Sequence, residues 1–395
     1  MGKLKTVGYE LRDVAVMQAP VSFCNHRGDV NPFIEVCGRE VYPIFVSPMA
    51  SVTDQNNYKV WIENKLTPVI PRSVQKSENN PNGLTFKKRM ELAKETFVSI
   101  SLKEAQNDLT EYLEKESHIN HDNNRYFIFD IKYHICIDIA HGTLSELYDV
   151  CKTLKSLYRD YIVLMTGNVA NPSAYSFYAD AGIDWMRVGI GGGSRCTSSA
   201  NVSIHYGMAT LLDQLNEERK SYAHSHNGNA PTKIIADGGI GWFDDIQKAL
   251  ALGADAIMAG KIFAECEEAC EPTYWLGCYD RKLPDRITEH TIKYEDEWHV
   301  QRAFSGTSAV PVRCRDYFGM SSKRAQKITG GSGNKTSEGI DRPVEVKYPV
   351  AKWIDNMQSY LRSCMTYTNS HTVKELRENA QVIILGGSGD AAYRK

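Results

Sequence analysis

Short apolar segments recur along this chain, and each is followed by a segment with the residue spacing of an amphipathic helix. Several of them are runs of isoleucine and valine, which is typical of parallel strands covered on both faces. Eight such candidate strands lie at residues 41–49, 65–70, 95–100, 133–140, 160–169, 183–190, 233–240 and 254–260. Eight alternating units in about 220 residues predict an α/β fold, a (β/α)8 TIM barrel, with a doubly wound open sheet as the alternative.

The turns that enter two of these strands are alike. In each turn a glycine, Gly182 or Gly253, lies near the end of a helical segment, and an aspartate, Asp184 or Asp255, lies just before the strand. This arrangement is typical of helix-to-strand connections in α/β proteins. It supports the same fold class.

Polar and glycine-rich residues lie where the candidate strands end. They follow the first strand as Ser-Pro, the fourth as Asp-Ile-Ala-His, the fifth as Gly-Asn-Val, the sixth as a glycine-rich loop and the seventh as Asp-Gly-Gly. Any single turn collects glycine and aspartate. Five turns at equivalent points predict a site at the carboxyl ends of the strands, where barrel enzymes place their chemistry.

Two regions depart from the repeated pattern. Residues 265–345 are charged and irregular, as is typical of a lid or a disordered segment. Residues 346–395 have the pattern of two short helices and a strand. We therefore predict a single TIM-barrel domain over residues 1–395, with a flap and insertion at about 265–345 and a C-terminal helical tail at about 346–395.

Composition excludes several classes of function. The formal net charge of −2 gives no basic field for nucleic acid, and no apolar run reaches the roughly 18 residues that a membrane span needs. The N-terminal residues lack the apolar core of a signal peptide, and the ten cysteines are placed irregularly, as in reduced proteins. Cys266, Cys270 and Cys278 match no usual zinc spacing. We expect a cytoplasmic protein with no nucleic-acid or membrane partner.

The loop after the sixth candidate strand reads GIGGGSRCTSS, from Gly189 to Ser199. It lacks the Gly-Lys-Ser/Thr end of a Walker loop and the spacing of a dinucleotide fingerprint. On this segment alone, two interpretations remain: a glycine turn with an incidental cysteine, or a nucleophile loop. In the second, Arg195 and backbone N–H groups favour the thiolate of Cys196.

Two further turns are candidate parts of a nucleotide site. Asp237 ends a strand and is followed by Gly238 and Gly239, so its carboxylate can accept hydrogen bonds from a ribose diol while the glycines let backbone approach a phosphate. An ordinary Asp-Gly turn is the alternative. Gly260 opens a helix, which is a ready site for an anion.

Taken together, the motifs resemble those of the IMP dehydrogenase and GMP reductase family. The similar segments occur in the family's order and are SPMASVTD (47–54), GIGGGSRCTSS (189–199), IADGGI (235–240), ADAIMAGKIFAECEEA (254–269), YFGMSS (317–322), TSEG (336–339) and the tail from residue 361 to 383. The family fold is a TIM barrel, and its members are tetramers. The resemblance therefore implies a homotetramer that binds a purine mononucleotide, GMP or IMP.

The resemblance also implies a chemistry for the cysteine loop. In this family a thiolate attacks C2 of the purine, and a covalent thioimidate forms. In the dehydrogenase a hydride passes from IMP to NAD, and water then releases XMP. In the reductase, GMP loses ammonia and NADPH returns a hydride to give IMP.

Local sequence favours the reductase. Dehydrogenases carry an Arg-Tyr pair on the flap that activates water, whereas here Arg324 is followed by Ala325 and residues 321–339 contain no tyrosine. IDIAHG (137–142) is similar to the reductase's Asp-Val-Ala-Asn-Gly, and no pair of CBS domains interrupts the barrel between residues 73 and 130. We expect a GMP reductase-like enzyme. IMP dehydrogenase and a catalytically silent purine-nucleotide-binding barrel are the alternatives.

The resemblance assigns roles by motif match. Cys196 is expected to be the nucleophile, and Ser198 and Glu338 to handle the leaving ammonia. The expected substrate-binding residues are Ser47, Asp237, Gly238, Gly239, Gly260, Lys261, Gly319, Met320, Ser321, Ser337 and Gly339. The residues expected to bind NADPH, or NAD in the alternative, are Asp138, Ile139, Ala140, Ile190, Gly191 and Arg72. The carbonyls of Gly191, Gly193 and Cys196 match a potassium site of the family.

Several positions depart from the family pattern. Ser198 stands in place of a threonine, Ala50 in place of an aspartate, and Lys261 in place of a small residue. Arg72 lies where the reductase has a histidine-lysine segment, and residues 270–312 are an insertion. These departures concern the substrate more than the fold, so a modified purine nucleotide or a related deazapurine also fits.

Overall fold

The computed structural model describes residues 7–72, 84–116, 118–119, 127–128, 131–159, 161–193, 201–285, 291–320, 322–328 and 339–386. In chain order its strands are β1 (Val14–Val16), β2 (Ile34–Val36), β3 (Arg39–Val41), β4 (Ile44–Val46), β5 (Thr67–Ile70), β6 (Phe97–Ile100), β7 (His118–Ile119), β8 (Phe127–Ile128), β9 (Tyr133–Asp138), β10 (Ile162–Val169), β11 (Trp185–Val188), β12 (Lys233–Asp237), β13 (Ala256–Ala259), β14 (Thr273–Tyr279), β15 (Ala309–Phe318), β16 (Asp341–Glu345) and β17 (Val382–Ile384). Its helices are α1 (Tyr58–Glu63), α2 (Phe86–Leu92), α3 (Leu102–Gln106), α4 (Asp108–Glu116), α5 (Ser145–Tyr158), α6 (Ala174–Asp180), α7 (Met208–Ser225), α8 (Phe243–Ala251), α9 (Lys261–Ala264), α10 (Glu297–Ala303), α11 (Lys323–Ile328), α12 (Val350–Tyr367) and α13 (Val373–Asn379).

Eight parallel strands form a closed barrel. Their order around it is β10, β11, β12, β13, β4, β5, β6 and β9, and β9 pairs with β10 to close the ring. Each of the eight predicted segments contains one of these strands. The TIM-barrel prediction is confirmed, and the open sheet is excluded because both ends of the sheet are paired.

The barrel interior is filled with side chains. Phe45 packs edge-on against Phe97 and Trp185, with ring centroids 5.8 and 5.2 Å apart. The hairpin of β2 and β3 adds Val36 and Val41 to this inner cluster. Each large buried side chain contributes about 1.5–3 kcal/mol of stability. Because the interior is packed, a ligand can bind only at an end of the barrel.

The two matching turns perform the same structural task. Gly182 and Gly253 have positive φ angles of 72° and 120°, which favour glycine. The carboxylate of Asp184 accepts from the backbone nitrogen of Leu164 at 2.7 Å, and that of Asp255 accepts from Ile234 at 2.8 Å. Each aspartate thus joins the start of its own strand to the start of a neighbouring strand.

The prediction of an irregular region at 265–345 is wrong for most of its described residues. They contain a three-stranded antiparallel sheet in the order β14, β15, β16, with α10 beside it. Leu276 and Cys278 on β14 pack with Val312 and Cys314 on β15. The sheet is hard to detect in the sequence because β14 and β15 pair across about 30 intervening residues, many of them charged.

The C-terminal tail matches its predicted pattern of two helices and a strand, although α12 has 18 residues and is longer than expected. Strand β17 pairs in antiparallel fashion with β1, and Val14 lies opposite Ile384.

Between residues 84 and 128 the described part of the chain forms α2, β6, α3, α4 and the short pair β7 and β8. Within the described ranges, no helix combines the length and apolar character needed to cross a bilayer.

Candidate active site

The predicted site residues that the structure describes lie at the carboxyl ends of neighbouring barrel strands. The predicted substrate residues and the glycine loop follow consecutive strands around the rim: Ile190, Gly191 and Gly193 after β11, Asp237, Gly238 and Gly239 at the end of β12, Gly260 after β13 and Ser47 after β4. Ile190 and Gly191 are also predicted cofactor residues, and the other predicted cofactor residues lie on other strands of the same rim: Asp138, Ile139 and Ala140 at the end of β9, and Arg72 after β5.

Two glycine turns meet backbone to backbone on this rim. A Cβ atom added to Gly238 would lie 3.2 Å from the nitrogen of Gly193. Gly189 has a φ of 117°, and a Cβ there would lie only 2.6 Å from the carbonyl oxygen of Asp237. Side chains are therefore excluded from the contact, which leaves backbone N–H groups able to approach an anionic ligand.

A buried arginine joins the two predicted halves of the site. Arg187 on β11 donates through Nη1 to Asp138 Oδ1 at 2.8 Å, and through Nε and Nη2 to Asp237 Oδ2 at 3.0 and 2.8 Å. The side-chain amide of Asn168 donates to the same Asp237 oxygen at 2.8 Å. Neither Arg187 nor Asn168 was predicted as a site residue. The signal for Arg187 was a single charged residue within the apolar strand Trp-Met-Arg-Val.

The charges of this cluster stabilise one another. Burial alone would raise the pKa of Asp138, but Arg187 and then Arg72 outweigh it and hold that pKa below its usual value. Burial alone would lower the pKa of Arg187, but Asp237, Cys136 and Asp138 outweigh it and raise that pKa well above its usual value. Arg187 and Asp138 therefore stay ionised at neutral pH, which suits a positioning role rather than proton transfer.

Arg72 supplies a hydrogen-bond donor beside Asp138. Its Nε lies 3.7 Å from Asp138 Oδ2, and the side chain is about one third exposed. This Nε is buried and has no hydrogen-bond partner among the residues that the structure describes. The charge of Arg72 therefore acts on Asp138, whose pKa it helps to lower. Ile139 is half-buried nearby, and Ala140 is exposed.

Ser47 and Gly260 are close to the carboxyl end of β15, from which the flap continues. A Cβ on Gly260 would lie 2.6 Å from both Met49 Sδ and Tyr317 Oη, and 3.6 Å from Cβ of Ser47. Tyr317 donates to Met49 Sδ at 3.4 Å. The glycine is thus required by close packing. Tyr317 is a further rim residue that the sequence analysis did not assign.

The remaining described substrate residues are Met320, Gly319, Lys261 and Gly339. Met320 packs in a small cluster with Ala50, and Gly319 is buried. Lys261 is almost half exposed, and its Nζ lies 3.7 Å from Glu265 Oε1. The antiparallel pairing places Asp341 opposite Phe318, so Gly339 and Gly319 lie at the same end of the sheet. Five predicted residues lie outside the described residues: Cys196, Ser198, Ser321, Ser337 and Glu338.

Arg324, the arginine of the flap segment, is held by two carboxylates. It donates through Nη1 to Asp316 Oδ2 at 2.7 Å and through Nη2 to Glu271. Its guanidinium also lies 4.6 Å from the ring centroid of Phe318. Burial alone would lower the pKa of Arg324, but Glu271 and Asp316 outweigh it and raise that pKa above its usual value. The guanidinium is consequently a poor base.

Asp316 is the centre of this cluster. Besides Arg324, its carboxylate accepts from Tyr274 at 2.6 Å and from Lys293 at 2.8 Å. Burial alone would raise its pKa, but the hydrogen bonds from Lys293 and Tyr274 and the nearby cations hold the pKa below its usual value. The cluster ties α11 to β15 and to the insertion.

We expect Asp316→Asn to lower the free energy of unfolding by about 2 kcal/mol at neutral pH, because Lys293 loses its anion and Arg324 keeps only Glu271. A carboxylate with a lowered folded-state pKa stabilises the protein above its unfolded-state pKa, and this contribution is lost as pH falls through the folded-state value. The difference between wild type and variant should therefore shrink in acid, as measured by urea unfolding across a pH series. Asp285→Asn is the matched control, since Asp285 is 93% exposed beside Arg342. A difference that is unchanged in acid would contradict the assignment.

Within the described ranges, no group of three or more histidine, cysteine, aspartate or glutamate side chains is arranged to hold a metal ion. The nine cysteines in these ranges are free thiols. Gly191 and Gly193 lie on the described part of the loop, whereas Cys196, the third predicted potassium ligand, does not. The potassium site stays a prediction.

Comparison with known proteins gives one family. A family model described as IMP dehydrogenase / GMP reductase domain matches residues 128–282 and 304–392, and the unmatched residues between them include α10. The chain is 29% identical over 255 residues to an inosine-5'-monophosphate dehydrogenase of Chlorobaculum tepidum, and 32% identical over 256 residues to one of Staphylococcus aureus. Each comparison covers 65% of this chain and 46% of the relative. The chain thus spans about half the length of the curated relatives it matches.

Proposed function

Because this chain belongs to the IMP dehydrogenase / GMP reductase family, we propose that it is a reductase that converts GMP and NADPH to IMP, ammonia and NADP. The family consists of oxidoreductases that act on purine nucleotides with a nicotinamide cofactor. Its two activities share the thioimidate and differ in what the thioimidate receives, a water molecule or a hydride. The choice between them therefore depends on whether the flap supplies a base for water.

The proposal rests on the contacts and the sequence context of Arg324. It is the only arginine in residues 321–339, and no tyrosine accompanies it there. Its guanidinium is bound to Asp316 and Glu271, and these carboxylates favour its charged form. A base must release its proton to activate water, so this arginine is unsuited to the task. Without a base for water, the thioimidate is left to accept a hydride.

The proposed reaction proceeds in three steps, and its atoms and charges balance. The Cys196 thiolate adds to C2 of GMP, and the exocyclic amine leaves as ammonia with protons delivered through Ser198 and Glu338. NADPH, when bound, supplies a hydride to C2. The C–S bond then breaks, which releases IMP and restores the thiolate.

The described residues support the binding roles. Asp237, Gly238 and Gly239 would hold the ribose and phosphate of the substrate, with Ser47, Gly260 and Lys261 extending the phosphate site. Asp138 and Arg72 would hold the nicotinamide end of the cofactor. Arg187 contacts both Asp138 and Asp237, so it would fix the position of the cofactor relative to the substrate. We propose a homotetramer and a potassium ion at Gly191, Gly193 and Cys196 on the family resemblance.

Purified protein in potassium buffer is expected to oxidise NADPH when GMP is added, with one IMP and one ammonia formed per NADPH. Absorbance at 340 nm, together with chromatography of the nucleotides, measures this. IMP with NAD should give no NADH. Formation of XMP and NADH would establish the dehydrogenase instead. Thermal stabilisation by GMP without turnover of any purine nucleotide would favour the silent nucleotide-binding barrel.

A further inference from the structure

We propose that His205 is a positioning residue that ties together the two ends of the loop carrying Cys196, and that Glu10 holds His205 in place. The importance of the loop rests on the proposed function. The contacts themselves involve only described residues. None of the family motifs identified in the sequence includes His205 or Glu10.

The imidazole of His205 bridges two acceptors. Its Nδ1 lies 3.0 Å from the carbonyl oxygen of Ile190, and its Nε2 lies 2.7 Å from Oε1 of Glu10. A carbonyl oxygen and a carboxylate oxygen can only accept hydrogen bonds, so the imidazolium form donates to both. Ile190 precedes the loop and His205 follows it, which means that this one ring joins the beginning of the loop to its end.

Glu10 is held in place by the start of α7. Its Oε2 accepts from the backbone nitrogen of Met208, the first residue of that helix, at 3.2 Å. The carbonyl oxygen of the preceding Tyr9 accepts from the nitrogens of Ala209 and Thr210 at 3.0 and 3.3 Å. The segment thus satisfies backbone N–H groups that every helix leaves unpaired at its beginning. A carboxylate is also favoured there by the helix dipole.

Close packing fixes the position of this N-terminal segment. A Cβ on Gly207 would lie 2.6 Å from the carbonyl oxygen of Tyr9, so the two backbones touch directly. The nitrogen of Tyr9 donates to Oγ1 of Thr210 at 2.8 Å, and the nitrogen of Glu10 donates to Asp13 at 2.8 Å. The backbone of Glu10 is therefore fixed, and its carboxylate is held beside His205.

Fourteen residues, 191–204, lie between Ile190 and His205. In general, a tether between the ends of a segment reduces the number of arrangements open to the residues between them. A nucleophile must approach its target within a fraction of an ångström, and a displacement of about 1 Å can lower the rate about 100-fold. Loss of the tether should consequently affect the chemical step more than nucleotide binding.

The test uses three variants of the full chain: His205→Ala, Glu10→Gln and the double variant. His226→Ala is the matched control, because Nδ1 of His226 lies 2.9 Å from the carbonyl oxygen of Tyr222 at the opposite end of α7. In the GMP assay, kcat should fall about tenfold in His205→Ala with little change in KM, and the control should be unaffected. The double variant should be no worse than His205→Ala, because the contact that Glu10→Gln weakens is already absent without the imidazole of His205.

A second measurement does not depend on activity. Trypsin cleaves after arginine, so limited digestion followed by peptide mass spectrometry can measure the rate of the single cut between Arg195 and Cys196 in the sequence. Its rate should rise about fivefold in His205→Ala and Glu10→Gln, as loss of one hydrogen bond would allow, and should stay unchanged in His226→Ala. Equal rates in His205→Ala and His226→Ala would overturn the inference. Faster cleavage of the two variants, in a protein that does not turn over GMP, would support the proposed role of His205 and Glu10. It would contradict the proposed function.

Discussion

Replacement of Cys196 by alanine is expected to abolish NADPH oxidation with GMP, with a loss of kcat on the order of 10⁴-fold or more. Without the thiolate no thioimidate forms, so neither loss of ammonia nor hydride transfer to C2 can follow. Binding of GMP should be nearly unchanged, because the proposed ribose and phosphate contacts come from other strands. Steady-state kinetics and isothermal calorimetry measure the two effects separately.

Cys364→Ala is the matched control for this experiment. Burial raises the pKa of the Cys364 thiol to about 12, so it is not a thiolate at neutral pH, and it lies on α12 in the C-terminal tail. Its removal should leave turnover intact. Mass spectrometry of the wild-type protein trapped with candidate nucleotides should detect an adduct on Cys196 and no other cysteine. Activity that survives Cys196→Ala would disprove the nucleophile assignment.

Arg187→Met is expected to lower the free energy of unfolding by about 3–5 kcal/mol. The change leaves the carboxylates of Asp138 and Asp237 without their shared cation, and all three side chains are at least 85% buried. Unpaired buried charge is among the most destabilising results of a single substitution. Urea unfolding at neutral pH measures the loss.

Arg187→Lys separates charge from geometry. A lysine keeps the positive charge but cannot reproduce the forked contacts to two carboxylates. It should recover part of the stability while KM for NADPH and for GMP both rise, because Asp138 and Asp237 lose their fixed relative position. If the lysine variant matched wild type in both constants, Arg187 would have a structural role only.

The sequence predicts the barrel well because its signals are local. Each strand is a short apolar run, and turns such as those at Asp184 and Asp255 are recognisable within a few residues. The grouping of Asp138 with Arg72 and Asp237 on one rim also follows from the fold, since parallel strands of a closed barrel bring their carboxyl ends together.

The rest depends on contacts between distant residues. Arg187 is a single charge within an apolar strand, and only the closed barrel shows that it faces two carboxylates. The sheet of β14 and β15 forms across an intervening helix. The contact of Glu10 with His205 joins residues 195 positions apart, and neither residue belongs to a recognisable motif. No periodicity in the sequence carries information of these kinds.

The pairing of β1 with β17 bears on the order in which the protein is completed during synthesis. The carbonyl oxygen of Asp13 accepts from the backbone nitrogen of Leu385 at 2.8 Å. The backbone nitrogen of Met17 donates to the carbonyl oxygen of Gln381 at 2.8 Å. Strand β1, next to the segment that supports His205, is thus synthesised about 370 residues before its partner strand. The segment of Tyr9 and Glu10 can pack on α7 before that strand is made, but the hydrogen bonds between β1 and β17 can form only after translation has passed residue 385.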